Sequence, residues 1–301
     1  MELKELISET DEMLKHFIYA LGFNGDEYVD SKKCPIMYGN SFAPGEFFTA
    51  GSKRLENRLN KTKLDEDKKK KILDSGLIVV DKRLKDKKPD ANLFVTLIHE
   101  RLHASRMILI NSNNRENEDI NEMFFDGDKF VPTNSLTGER YVDPQQDIIL
   151  GSIDTSKQAI SKYESLTPEE KDDLSLDDYM YDEKLSQQIA IDEALVETMA
   201  IIAYKSYRDG NDDLMETVEF LNKQDAGEDI HAITNIILRH GDLDLFRWMA
   251  FPLEYQENDI HYDYFNHYVD EADKEDVLSI TNSEELGFND DLIESMRGNT
   301  I

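Results

Sequence analysis

The sequence predicts an α+β protein that is mainly helical, with a small sheet packed on a buried helix and a helical C-terminal part. Three observations carry this expectation. Leu77, Ile78, Val79 and Val80 form a short β-branched run between Gly76 and Asp81, the pattern of a strand. Two longer segments, about 91–110 and about 183–207, are apolar on nearly every face, as core helices are. Amphipathic spacing in the remaining segments supplies further helices.

The elements follow in order. Leu3, Leu6, Ile7, Met13, Leu14, Phe17, Ile18 and Leu21 keep helical spacing, and Gly22 and Gly25 are expected to end that helix. Residues 34–52, rich in Gly, Pro and aromatics, suggest loop with short strands. Lys68 to Lys71 form the solvated face of a charged helix. After the strand at 77–80, Asp90 is placed to cap the helix over 91–110. The acidic stretch 111–182 contains a hairpin signal at Asp126-Gly127, flanked by Phe124, Phe125, Phe130 and Val131, and a helix start at Thr167-Pro168-Glu169-Glu170. Helices are expected over 183–207, 212–224 and 228–240, the last ending at Gly241. Four parts result: 1–110 with the N-terminal helix, sheet and first buried helix; the insertion 111–182; 183–270 with the second buried helix; and an acidic tail, 271–301.

Composition narrows the function. The 301 residues carry 34 Lys and Arg against 64 Asp and Glu, a formal charge of −30. Nucleic acid and anionic membranes would be repelled, so neither is an expected partner, whereas a protein partner could use the acidic surface. Cys34 is the single cysteine, which excludes an internal disulfide and a multi-cysteine metal site. With no signal peptide or membrane-spanning run in the sequence, a cytoplasmic location is expected.

The chemistry sits in the two buried helices. His99-Glu100-Arg101-Leu102-His103 is H-E-x-x-H. Residues four apart lie about one turn along a helix and about 40° round it, so both imidazoles point the same way. Two neutral histidines so placed can share one Zn²⁺, with Glu100 offset to take a proton from water rather than to ligate. The extended motif with a third histidine is excluded, because Arg106 and Leu109 stand at its Gly and His positions. Attention moves to the carboxylates of the second helix, where Glu193 and Glu197 share a face. A metal site would use Glu193 as third ligand and Glu197 as partner of a ligand imidazole. Asp192 lies beside them, and a pair of carboxylates reaching the surface past Lys184 or Lys205 is the plainer alternative. Asp154, in Gly151-Ser152-Ile153-Asp154, is a rival third ligand.

HERLH followed by DEALVET on a later helix resembles the gluzincin group of zinc metallopeptidases. The match covers residues 77–110 and 186–203. It implies a zincin-like fold, one Zn²⁺ per chain on His99, His103 and Glu193, Glu100 as general base and Glu197 as the supporting acid. It also implies that the strand before the motif is the sheet edge along which a peptide substrate lies. Asp192 departs from the frequent Asn, and the spacing from His103 to Glu193 is longer than in many members.

The oxyanion-stabilising donor is expected among His231, His240, Tyr204 and Tyr255, with His231 chosen as the catalytic candidate. His261 and His267, set among tyrosines, are given no role. The leading function is a zinc-dependent metallopeptidase. A metallopeptidase-like binding or regulatory protein without turnover is the alternative, and a structural protein with incidental histidines is a third.

Overall fold

In a computed structural model, the residues described are 3–31, 34–41, 44–48, 53–85, 88–113, 125–126, 129–130, 148–149, 152–153, 183–250, 265 and 268–282. The architecture is mainly helical with one three-stranded sheet. Helix α1 (Leu3–Ala20) buries Leu6, Met13, Leu14, Phe17 and Ile18, the face its spacing predicts. Gly22, at φ 95°, ends it in a backbone conformation that other residues rarely adopt. Gly25 does not end that helix but opens α2 (Gly25–Ser31). A Cβ there would stand 2.5 Å from the Lys15 carbonyl oxygen, so the α1–α2 corner closes only around glycine.

Strands β1 (Ile36–Gly39) and β2 (Gly45–Phe48) precede helices α3 (Lys53–Asn60) and α4 (Glu66–Ser75), and β3 (Leu77–Asp81) follows. The order is β1-β3-β2, with β1 parallel and β2 antiparallel to β3. The strand expected at the edge is therefore the central one. All five residues of β3 are buried: Ile78 and Val80 face the main core, while Leu77 and Val79 pack with Phe48, Leu55 and Leu59 on the other face. A strand apolar on both faces belongs in the middle of a sheet, and the more polar β1 and β2 take the edges.

Asp90 accepts a bond from the Leu93 N–H at 3.0 Å and so starts α5 (Ala91–Asn113), as its sequence position predicts. Two short hairpins follow, β4 (Phe125–Asp126) with β5 (Lys129–Phe130) and β6 (Ile148–Ile149) with β7 (Ser152–Ile153). The first matches the hairpin signal at Asp126-Gly127; the helix start at Thr167 lies outside the described residues. Helix α6 (Glu183–Asp209) packs along α5, and α7 (Leu214–Asn222) and α8 (Glu228–His240) complete the expected set, with Gly241 at φ 75° closing α8. Helix α9 (Asp244–Ala250) has no counterpart in the sequence reading. It is too short for periodicity to reveal, and it places Phe246 and Trp248 in the core. After a short 3₁₀ turn, α10 (Lys274–Asn282) is tied to α8 through Asp273, which is fully buried and paired with both Arg239 and His240. Among the described residues no helix is long and apolar enough to cross a membrane.

The rotation of α5 is set from behind. Arg101 is two residues from His99, hence about 200° round the helix, and ion-pairs with Asp11 of α1. Its side chain is only 2% exposed. Asp11→Ala should therefore destabilise the fold by about 3–5 kcal/mol in denaturant unfolding, because it strands a buried guanidinium. Asp11→Leu with Arg101→Met should recover most of that loss. A double variant no more stable than Asp11→Ala would count against this role for the pair.

Candidate metal centre

Helices α5 and α6 cross where each has its ionisable residues, and the crossing assembles a compact group. His99 and His103, one turn apart on α5, turn their rings together with centroids 4.7 Å apart and Nε2 atoms 3.0 Å apart. From α6, Glu193 sets Oε2 at 3.1 Å from His99 Nε2 and Oε1 at 3.3 Å from His103 Nε2. Glu197, one turn further along, sets Oε2 at 3.0 Å from His99 Nδ1. The structure thus brings together His99, His103, Glu193 and Glu197 and gives the last two the different positions expected of them. Asp192 is buried but is not part of the His99–His103–Glu193 group. One residue along a helix is about 100° of rotation, which turns it off the line that Glu193 follows.

The donor set fits a metal. Two ligands on a tetrahedral ion, each at about 2.0–2.1 Å, stand about 3.3 Å from each other. The separations are 3.0 Å between the two Nε2 atoms, 3.1 Å from His99 Nε2 to Glu193 Oε2 and 3.3 Å from His103 Nε2 to Glu193 Oε1, close to that length. Two imidazoles and a carboxylate also suit Zn²⁺ among the common divalent ions. Both histidines are buried, whereas Glu193 keeps 37% of its side-chain surface, so solvent reaches the group from the Glu193 side. His103 Nδ1 and Glu197 Oε1 are buried with no hydrogen-bond partner among the described residues, which marks the site as polar beyond what its protein contacts satisfy.

Electrostatics follow from this geometry. Burial by itself would lower the His99 pKa, but hydrogen bonds and charge from Glu193 and Glu197 hold it well above the ordinary value. Burial would raise the Glu193 carboxyl, yet the two imidazoles hold it well below the usual range. Glu100 behaves oppositely. Burial pushes its carboxyl up, and the nearby imidazoles and a bond from the Phe47 N–H offset this only in part. Glu100 is thus a buried acid beside the group rather than a member of it.

The other expected residues lie elsewhere or outside the described residues. His231, in the first turn of α8, accepts a bond from the Ala226 N–H at 3.4 Å and is not part of the His99–His103–Glu193 group. Tyr204 stacks against Phe94, with ring centroids 6.2 Å apart, and His240 is engaged with Asp273. His240, Asp270 and Asp273 also stand close enough to share an ion. Asp273, however, is already taken up by Arg239, His240 and the Asp270 N–H, so this group closes a helix junction. Asp154, Tyr255, His261 and His267 fall outside the described residues. Gly45 of β2 is the neighbour of Glu100 that sequence reasoning missed, because a contact between a four-residue strand and a helix leaves no periodic trace.

In metal-free protein the His99 ring should titrate above 6.5, and Glu197→Gln should move its midpoint down; ring ¹⁵N shifts read both. Because the folded value exceeds the unfolded one, this proton's contribution to stability is complete below about pH 6.5 and fades as pH rises through the folded value. A midpoint at or below the ordinary value would contradict the pairing.

Comparison of the chain with protein-family models, curated proteins and solved structures finds no match.

Proposed function

We propose that the chain is a zinc-dependent peptidase with a zincin-like arrangement of helix and sheet. One observation carries the reading: the H-E-x-x-H histidines and Glu193 converge on one point with the separations of metal ligands, while Glu100 stands beside them and outside the ligand set. His99, His103 and Glu193 would hold the ion. When bound, such an ion acts as a Lewis acid and makes water nucleophilic at neutral pH.

The chain's own groups supply the rest. With an ion bound, Glu197 Oε2, 3.0 Å from His99 Nδ1, would accept the Nδ1–H and so fix the tautomer that leaves Nε2 to the metal. Glu100 can take a proton from the attacking water on a carboxylate oxygen and return it to the departing amide nitrogen. Its raised pKa suits both halves of that exchange better than an ordinary carboxylate would. The imidazoles are buried, and solvent reaches the group from the Glu193 side. By the gluzincin resemblance an extended peptide would lie along the sheet edge next to α5, and in this chain that edge is β2.

Protein purified without a metal-affinity tag should contain about one Zn per chain. Competition with a chromogenic chelator should rank the losses of affinity as Glu193→Ala largest, Glu197→Ala about 10–100-fold, and Asp192→Ala smallest. Protein that neither contains nor takes up zinc would end the reading, and Asp192 outranking Glu193 would end the ligand assignment.

Glu100→Gln should keep the zinc and abolish cleavage in a mixed-peptide digestion assay, since an amide cannot accept the proton. Wild-type cleavage by that variant would remove Glu100 as the base. A zinc-loaded wild type that cleaves nothing would favour the non-catalytic binding protein.

A further inference from the structure

A cavity of about 600 Å³ opens on the face of the sheet turned away from α5. Side chains alternate across a strand, so Gly45 of β2 meets Thr96 and Glu100 while Glu46 and Phe48 face the other way, toward α3. Met37 and Tyr38 of β1, Glu46 and Phe48 of β2, and Arg58 and Lys61 at and just beyond the end of α3 line the cavity. Its size is that of a site for a small organic molecule. None of its residues belongs to the His99–His103–Glu193 group.

Arg58 is built into this cavity. A Cβ on Gly39 would stand 2.9 Å from Arg58 Nη2, so the missing side chain there admits the guanidinium over the sheet. The guanidinium carbon lies 4.7 Å from the centre of the Phe48 ring, and Nη2 donates to the Asn40 carbonyl. Glu46 Oε2 is 4.0 Å from Nη1, too far for a hydrogen bond, and accepts instead from Ser41 Oγ at 3.1 Å. Nε and Nη1 therefore have no hydrogen-bond acceptor among the described residues. Lys61 adds a second, exposed cation, so with Glu46 the cavity keeps one net positive charge. The surrounding stretch 53–85 has twice as many Lys and Arg as Asp and Glu, in a chain whose formal charge is −30. An anion is repelled by most of this protein and drawn to this part of it.

We infer that this cavity binds a small organic monoanion, a carboxylate on an apolar body. The planar fork of Arg58 matches a carboxylate, and one net positive charge balances it. A phosphate dianion would leave excess negative charge beside Glu46. Met37 and Tyr38 give the apolar body a wall to pack on. Free organic acids and the C-terminus of a peptide both carry this chemistry. The site shares no residue with the metal group, so it stands whether or not the chain is a peptidase.

A ¹H–¹⁵N titration of metal-free protein tests this without any turnover. 3-Phenylpropionate should shift the amide signals of residues 37–41 and 57–62 saturably, and its neutral analogue 3-phenylpropanamide should not. Arg58→Gln should weaken binding about tenfold or more, and Lys61→Gln, at an exposed position, about two- to fivefold. Gly39→Ala, which drives a Cβ against Nη2, should weaken it with both cations still present. N-acetylglycylphenylalanine separates the two sources. Binding tighter than that of 3-phenylpropionate assigns the cavity to a peptide C-terminus, and weaker binding assigns it to a free acid. The proposal is overturned by the absence of saturable shifts, by equal binding of the neutral amide, or by inorganic phosphate binding more tightly than either carboxylate. Wild-type affinity in both Arg58→Gln and Lys61→Gln also overturns it. If Arg58→Gln fails to fold, unchanged affinity in Lys61→Gln is enough to do so.

Discussion

The contact of α5 with α6 is the constraint on which the rest of the structure depends. It buries His99, Glu100, His103 and Glu197 beside Glu193 in a predominantly hydrophobic core. Each of these groups would be costly there alone. Together they satisfy much of that cost: Glu193 bridges the two Nε2 atoms, and Glu197 takes the one remaining donor of His99. Most other buried positions on these two helices are apolar. Small residues such as Ala194 and Ala200 on α6, and Ala104 on α5, lie fully buried and leave the helices little bulk to hold them apart.

The surrounding elements fix how the two helices present that group. On the side away from the histidines, Arg101 and Asp11 set the rotation of α5 against α1. On the sheet side, Gly45 lets the strand come within contact of Thr96 and Glu100. Glu100 is therefore packed between its own helix and the β2 strand, with Gly45 beside it. The same sheet insulates its far face with Phe48, Leu55, Leu59, Leu77 and Val79, a separate small core beneath α3 and α4.

The carboxylates show how context separates like residues. Glu193 and Glu197 are one turn apart on the same helix, yet one bridges both imidazoles and the other meets only His99. Glu100 stands on α5 beside the imidazoles, where burial dominates and its proton is held more firmly. Asp192 and Asp273 are equally buried and belong to neither role; Asp273 spends its charge on Arg239 and His240 at the junction of α8 and α10.

The sequence by itself determined the principal helices, the strand at 77–80, the Asp90 cap, and the pairing of His99 with His103 on one helix and of Glu193 with Glu197 on another. Each of these is a matter of local periodicity: 3.6 residues per turn places His99 with His103 and Glu193 with Glu197 whatever else the chain does. Only the tertiary structure decided that the two buried helices cross where these pairs meet, which strand is central, and that Gly45 stands against Glu100. Those facts depend on pairings between segments distant along the chain. Strand order follows from which strand can bury both faces, and close approach follows from where a side chain is missing opposite a neighbour. Neither leaves a period in the sequence from which it could be inferred.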